Sequence, residues 1–193
     1  MITLLSTVKT RLGLSDLDVK DDVLLTNALK AVSDRFDREC RRTLARTVNA
    51  LQEFNAAATE LSLACYPVER VVKFELKADE TDGWVEQAAV ECLLRDGGVL
   101  SLAAPLGTAR QQGRVTYTGG YVLPGATAAP GQAPLPDALE QAAVEQVVFW
   151  YQTRDQVGIL RQWPKGGGYE QFADLDLLPG VRAVLGRYRR WGG

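Results

Sequence analysis

The chain has 193 residues, 46 % of them hydrophobic and 24 % charged, the proportions of a folded globular domain. Its net charge is −2 and its pI about 5.3, which excludes the global basic signature of a nucleic-acid binder. It has no histidine, so the commonest general base and the commonest metal ligand are both missing.

Residues Thr3 to Leu12 read as a short helix, with Thr3 as its cap, Leu4, Leu5, Val8 and Leu12 as its apolar face and Gly13 as its stop. The opening Met1-Ile-Thr-Leu-Leu is too short, and too soon followed by Lys9 and Arg11, for a signal peptide. No run approaches the ~20 apolar residues of a membrane span. The expectation is a protein that is soluble and intracellular when made.

A second helix is expected from about Val19 to Arg42. Leu25, Leu29, Val32, Phe36 and Cys40 recur at steps of three and four, one face of an α-helix. Its charges are expected to pair four residues apart: Asp34 with Arg38, Arg35 with Glu39, Asp37 with Arg41. Asp16, Asp18, Asp21 and Asp22 resemble calcium ligands. The EF-hand spacing fails, however: Asp21 and Asn27 fall where a glycine and a glutamate belong. Capping and the helix dipole account for these carboxylates.

From Thr47 the period changes. Thr47–Phe54, Thr59–Leu63 and Val71–Leu76 alternate apolar and polar residues, as half-buried strands do. Tyr66-Pro67-Val68 reads as a corner, and Asp79 to Gly83 as a polar turn before Trp84-Val85. Ala88 to Leu94 fits strand or short helix. Asp96-Gly97-Gly98 is a tight-turn signal ahead of Val99–Leu102. Residues 47–121 therefore read as an antiparallel sheet or small barrel.

Val115-Thr-Tyr-Thr-Gly-Gly-Tyr121 is a strand interrupted by a glycine pair. One of Gly119 and Gly120 is expected at positive φ, and Tyr117 or Tyr121 is expected to pack near Trp150. Residues 122–135, interrupted by Pro124, Pro130 and Pro134, are expected to run as an extended linker. A helix from Pro136 to about Arg154 follows, with Leu139, Ala142, Ala143, Val147 and Trp150 on its apolar face. Residues 156–178 are irregular. Lys165 beside Gly166-Gly167-Gly168 has the wrong order and frame for a phosphate loop. After Pro179 comes a last helix, which ends in Arg187, Tyr188, Arg189, Arg190 and Trp191.

The three cysteines, Cys40, Cys65 and Cys92, are widely spaced and suit free thiols in a reducing compartment. No nucleophile elbow, zinc motif, phosphate loop or paired-carboxylate site is present. The chain therefore nominates no catalytic, cofactor-binding or metal-binding residue, and no enzyme activity is expected.

The ordered pattern resembles the head-tail connector (adaptor, head-completion) proteins of tailed bacteriophages. The likeness rests on Ile2-Thr-Leu with Val8-Lys-Thr-Arg-Leu-Gly13; on Asp21-Asp-Val-Leu-Leu-Thr26; and on Cys40-Arg-Arg-Thr-Leu44. It continues through Leu61-Ser-Leu63 with Tyr66-Pro-Val68 and Val71-Val72, and through Val115–Tyr121 followed by Leu135-Pro136, Leu139, Ala142, Trp150 and Arg154. It covers about residues 1–155.

The resemblance implies an α+β fold in one domain: a small helical bundle from residues 1–46 and 136–193, with a β-rich antiparallel insertion at 47–121. It implies a structural virion protein at the head-tail interface, present in the host cytoplasm during assembly. There it would form a ring, usually a homo-dodecamer, between the portal protein and a downstream neck or tail-terminator protein. Genomic DNA would pass through the lumen without sequence-specific binding. Arg187, Tyr188, Arg189, Arg190 and Trp191 are the candidate partner-binding residues, for portal or a neighbouring subunit, because arginine and aromatic residues dominate interface hot spots. Another neck or tail-completion interaction protein, or a DNA-binding regulator using the basic tail, are the alternatives.

Overall fold

A computed structural model describes residues 1–154 and 176–190. The chain divides into two compact units: Met1–Phe36 with Pro136–Arg187, and Asp37–Leu135 with Tyr188–Gly193.

The first unit is helical. Helix α1 spans Leu5–Leu12, α2 spans Asp22–Cys40 and continues into the second unit, α3 spans Asp137–Gln152 and α4 spans Pro179–Gly186. Helix α1 starts later than expected because Thr3 is not its cap. Leu4 holds that position, and the Thr3 hydroxyl donates instead to Glu140 Oε1 at 2.9 Å. Gly13 ends α1 at φ 70°, a left-handed stop that only glycine adopts freely. Leu25, Leu29, Val32 and Phe36 of the α2 stripe are buried, as are Val8, Leu139, Ala143, Val147, Val181 and Leu185 on the other three helices. Each large side chain buried there contributes about 1.5–3 kcal/mol. Gln146 is buried too, and its amide is satisfied: Nε2 donates to the Asp176 carbonyl at 3.3 Å and Oε1 accepts the Leu178 N–H at 2.8 Å.

The second unit is built of strands. They are β1 Thr47–Asn55, β2 Glu60–Ser62, β3 Val68–Lys77, β4 Trp84–Gln87, β5 Cys92–Arg95, β6 Val99–Leu102, β7 Gln112–Gly119, β8 Tyr121–Val122 and β9 Ala133–Pro134. An antiparallel sheet has the order β1-β7-β3-β4, and a second has the order β2-β6-β5. Leu61, Leu100 and Leu102 from the smaller sheet, Leu63 just after β2, and Phe74, Val115 and Tyr117 from the larger sheet form one core. The ambiguous stretch at 88–94 divides into a turn, with Ala89 at positive φ, and the start of β5, which pairs with β6 across a turn in which Asp96 and Gly97 both hold positive φ.

The glycine pair is required by its surroundings. A Cβ on Gly119 would lie 2.5 Å from the Cys65 carbonyl oxygen, and Gly120 sits at φ 98° against the Ala45 carbonyl. Tyr117 is buried in the core of the second unit, where its hydroxyl accepts the Cys65 N–H at 3.0 Å.

The expected extended linker also differs in the structure. The segment 122–135 does not run extended: β8 and β9 pair in parallel, and the Leu135 N–H donates to the Val122 carbonyl at 2.9 Å. Gly125 and Gly131, both at positive φ, turn the chain back on itself.

Candidate assembly surfaces

Three surfaces stand out, and the first is the C-terminal arm. Arg190 is anchored within the chain. Its N–H donates to the carbonyl of Cys40, the last residue of α2, at 2.8 Å. Its guanidinium donates to the Ser62 hydroxyl at 3.0 Å and also to the Ser62 carbonyl. Tyr188 is half-buried, and its carbonyl accepts the Tyr66 hydroxyl at 3.5 Å. Arg187 and Arg189 are exposed, and Trp191 lies outside the described residues. Of the five candidate partner-binding residues, the structure thus leaves two arginines open to solvent and commits a third internally.

The run Arg35, Arg38, Arg41, Arg42 divides three ways. Arg35 pairs with Asp176 at 2.9 Å. Arg42 is buried, with its guanidinium 3.3 Å from the centre of the Tyr66 ring and 5.2 Å from that of Tyr121, and donates to the Tyr66 carbonyl. Arg38 and Arg41 are exposed. The expected Asp37–Arg41 pair fails because Arg41 leaves the helix at φ 53°, while the Asp37 carboxylate accepts the Leu44 N–H at 3.0 Å. Burial raises the Cys40 thiol beside these groups to about 11, with nearby Arg42 opposing the shift. Burial also raises Tyr121.

The second surface is the loop between α1 and α2. Lys9 has only 3 % of its side chain exposed, and its ammonium sits inside that loop. It donates to the carbonyls of Asp16 at 3.0 Å and Asp18 at 2.7 Å, and to Asp22 Oδ1 at 2.9 Å. The Tyr151 hydroxyl donates to Asp21 Oδ2 at 2.5 Å, and that carboxylate raises the phenol. Three of the four aspartates therefore bond a lysine, two of them through their backbone carbonyls, and the fourth, Asp21, bonds Tyr151. Leu17, Val19 and Val23 point away from it, 91 %, 69 % and 75 % exposed.

The third surface is on the β unit. Every residue of the edge strand β5 is exposed, including Leu93 and Leu94. On the outer face of the larger sheet, Arg114 binds Glu75 at 3.0 Å and lies 4.3 Å over the Trp84 ring, and Lys73 adds a second contact to Glu75 at 3.0 Å. These bonds, Arg114 first, hold the Glu75 carboxyl below its ordinary range. The Glu69 carboxyl is lowered likewise by its hydrogen bond from Arg46.

Among the described residues no group of three or more His, Cys, Asp or Glu side chains could hold a metal ion. Two clefts of about 350 and 270 Å³ are lined by Glu53–Asn55 with Ala109–Gln112, and by Glu91–Leu93 with Ser101–Ala103. Among the described residues no helix is long and apolar enough to cross a membrane.

Sequence reasoning found the basic arm from its composition. It missed the Lys9 loop because nothing local marks Lys9 as buried beyond its place beside Val8 on α1. It missed Arg42 because the partner, Tyr66, lies across the β unit.

The fold is shared with two solved structures. One is from the neck of an empty gene transfer agent particle computed with C6 symmetry: TM-score 0.62, 17 % identity, covering 100 % of this chain and 91 % of that one. The other is from the virion of a native gene transfer agent particle: TM-score 0.59, 18 % identity, again covering 100 % and 91 %. No curated protein matches the sequence. The profile of the head completion proteins matches residues 1–191, nearly the whole chain, and the chain belongs to that family.

Proposed function

We propose that this protein is a virion neck component that forms a ring between the portal and the tail, extends the channel for DNA and takes no catalytic part. The observation that carries this reading is the family match over residues 1–191. The fold shared with a protein from a particle neck supports it. A ring of twelve copies, the number proposed, is compatible with a sixfold axis. The exposed Arg187 and Arg189 are the proposed contacts to the portal or to a neighbouring copy, by charge-assisted hydrogen bonds at the rim of an interface. DNA is proposed to pass without tight binding, in keeping with the net charge of −2.

The test is the mass of the purified chain, alone and mixed with portal rings. A closed multimer, alone or on the portal, supports the reading. A chain that remains monomeric in both conditions, or that binds free duplex tightly and salt-sensitively, overturns it.

A further inference from the structure

Single exposed aliphatic residues are normal on a protein surface, but Leu17, Val19 and Val23 fall within seven residues and are among the most exposed apolar side chains described. The segment that carries them, the loop and the start of α2, is fixed in shape. Lys9 holds it through two backbone carbonyls and a carboxylate, the Asp18 N–H donates to the Ser15 carbonyl at 3.0 Å, and Asp18 Oδ1 accepts the Lys20 N–H at 3.2 Å. Burying an ammonium is costly unless it is fully bonded. A loop with no role beyond joining two helices has no need of that device. Pre-organising a contact surface lowers the cost of binding, and that is a reason to have it.

The chemistry of the loop limits what can cover it. Its aliphatic tip is bordered by the exposed carboxylates of Asp16 and Asp18, which outnumber the one exposed cation of the segment, Lys20. A two-fold contact of this loop with itself would set like charges against each other, which costs several kcal/mol. The complementary surface exists elsewhere on the same chain. The bond from the Arg190 N–H to the Cys40 carbonyl brings Arg189 to the end of α2, next to Arg41. Among the described residues Arg38, Arg41, Arg187 and Arg189 have no ion-pair partner, and Tyr188 lies half-buried between two of them. Arginine stems and a tyrosine ring cover aliphatic side chains while their polar ends meet carboxylates.

We propose that the segment Ser15–Val23 of one copy, the loop together with the first residues of α2, docks on the arginine cluster at the end of α2 and the C-terminal arm of the next copy. This rests on the ring reading given above, since an acidic surface meeting a different, basic surface of the same chain is the heterologous contact that a ring requires. It adds which two surfaces meet.

The experiment is a charge swap on the full chain, with self-association measured by sedimentation over a range of protein concentration and salt. Asp16 contributes only its backbone carbonyl to the loop, so Asp16→Lys with Leu17→Ser spares the fold, as thermal melting verifies. Self-association is expected to weaken at least about tenfold in this variant, and similarly in Arg187→Glu with Arg189→Glu. Combining Asp16→Lys with Arg189→Glu is expected to restore part of the loss, which two unrelated defects would not do. Unchanged self-association in the loop variant, or no recovery in the swap, overturns the inference and leaves the ring reading intact. If the loop variant loses only its affinity for portal rings, the portal is the occupant and the inference is likewise overturned. A wild-type chain that stays monomeric both alone and with portal rings overturns both.

Discussion

The guanidinium of Arg190 is bound to the hydroxyl of Ser62, 3.0 Å away and 128 positions earlier in the chain. The arm is therefore part of the β unit's structure as well as an exposed basic surface. Arg190→Ala is expected to cost about 1–3 kcal/mol, since it leaves the Ser62 carbonyl without its charged donor. Arg189→Ala is expected to fall within about 0.5 kcal/mol of wild type. Urea unfolding of the two variants separates them, and equal midpoints would contradict the assignment. It also follows that removing residues 187–193 tests stability and binding together, so charge reversal at Arg187 and Arg189 is the cleaner probe.

Gly120→Ala is expected to destabilise the chain by roughly 3 kcal/mol. The φ of 98° is strained for any residue with a Cβ, and that Cβ would come within 2.6 Å of the Ala45 carbonyl oxygen. Gly13→Ala, also at positive φ but with open space around it, is expected to cost about 1 kcal/mol. Chemical denaturation of both variants checks the ordering.

How far the fold was legible can be judged from these elements. The α2 stripe was readable because helical periodicity is local, and every stripe residue from Leu25 to Cys40 is buried. The glycine pair was readable because two adjacent glycines in a strand pattern imply a backbone close approach. The return of residues 122–135 was not readable. Prolines show where regular structure stops, but the closing bond from Leu135 to Val122 is a long-range choice. Arg42 and Lys9 were illegible for the same reason. Each looks like a surface cation until the aromatic rings, or the carbonyls, that surround it are known.

Lys9→Met is expected to lower stability by about 3 kcal/mol, because Asp22 and two carbonyls lose the ammonium that bonds them. For a chain of this size that corresponds to a fall of roughly 6–12 °C in melting temperature. The loop should also become the first site of limited proteolysis. A melting point within a degree of wild type would contradict the structural role.

Acid is expected to weaken the β unit. The Glu75 and Glu69 carboxyls are held below their ordinary range in the folded chain, mainly by hydrogen bonds from Arg114 and Arg46. Their contribution is therefore fully present above the unfolded carboxylate value of about 4.3 and is lost as pH falls through the lowered folded values. Glu75→Gln should flatten this acid limb in a series of melts, and a slope equal to wild type would refute the assignment.

Thiol reactivity should sort the cysteines. Cys92 is exposed, whereas Cys40, raised to about 11, and the buried Cys65 are closed to solvent. At pH 8 a thiol reagent is expected to modify one cysteine in the folded chain and three after unfolding. Rapid modification of Cys40 in the native protein would show that the end of α2 opens.

The ammonium inside the aspartate loop has a consequence for how assembly responds to its surroundings. Loops of this acidic kind often take their shape from a dissolved cation, and then follow its concentration. Here the positive centre is covalently part of the chain and present in every copy from synthesis onward. It has no dissociation constant to satisfy and nothing for a chelator to remove. The surface it shapes is thus available at one fixed stoichiometry per subunit, whatever the ionic composition inside the cell or outside it.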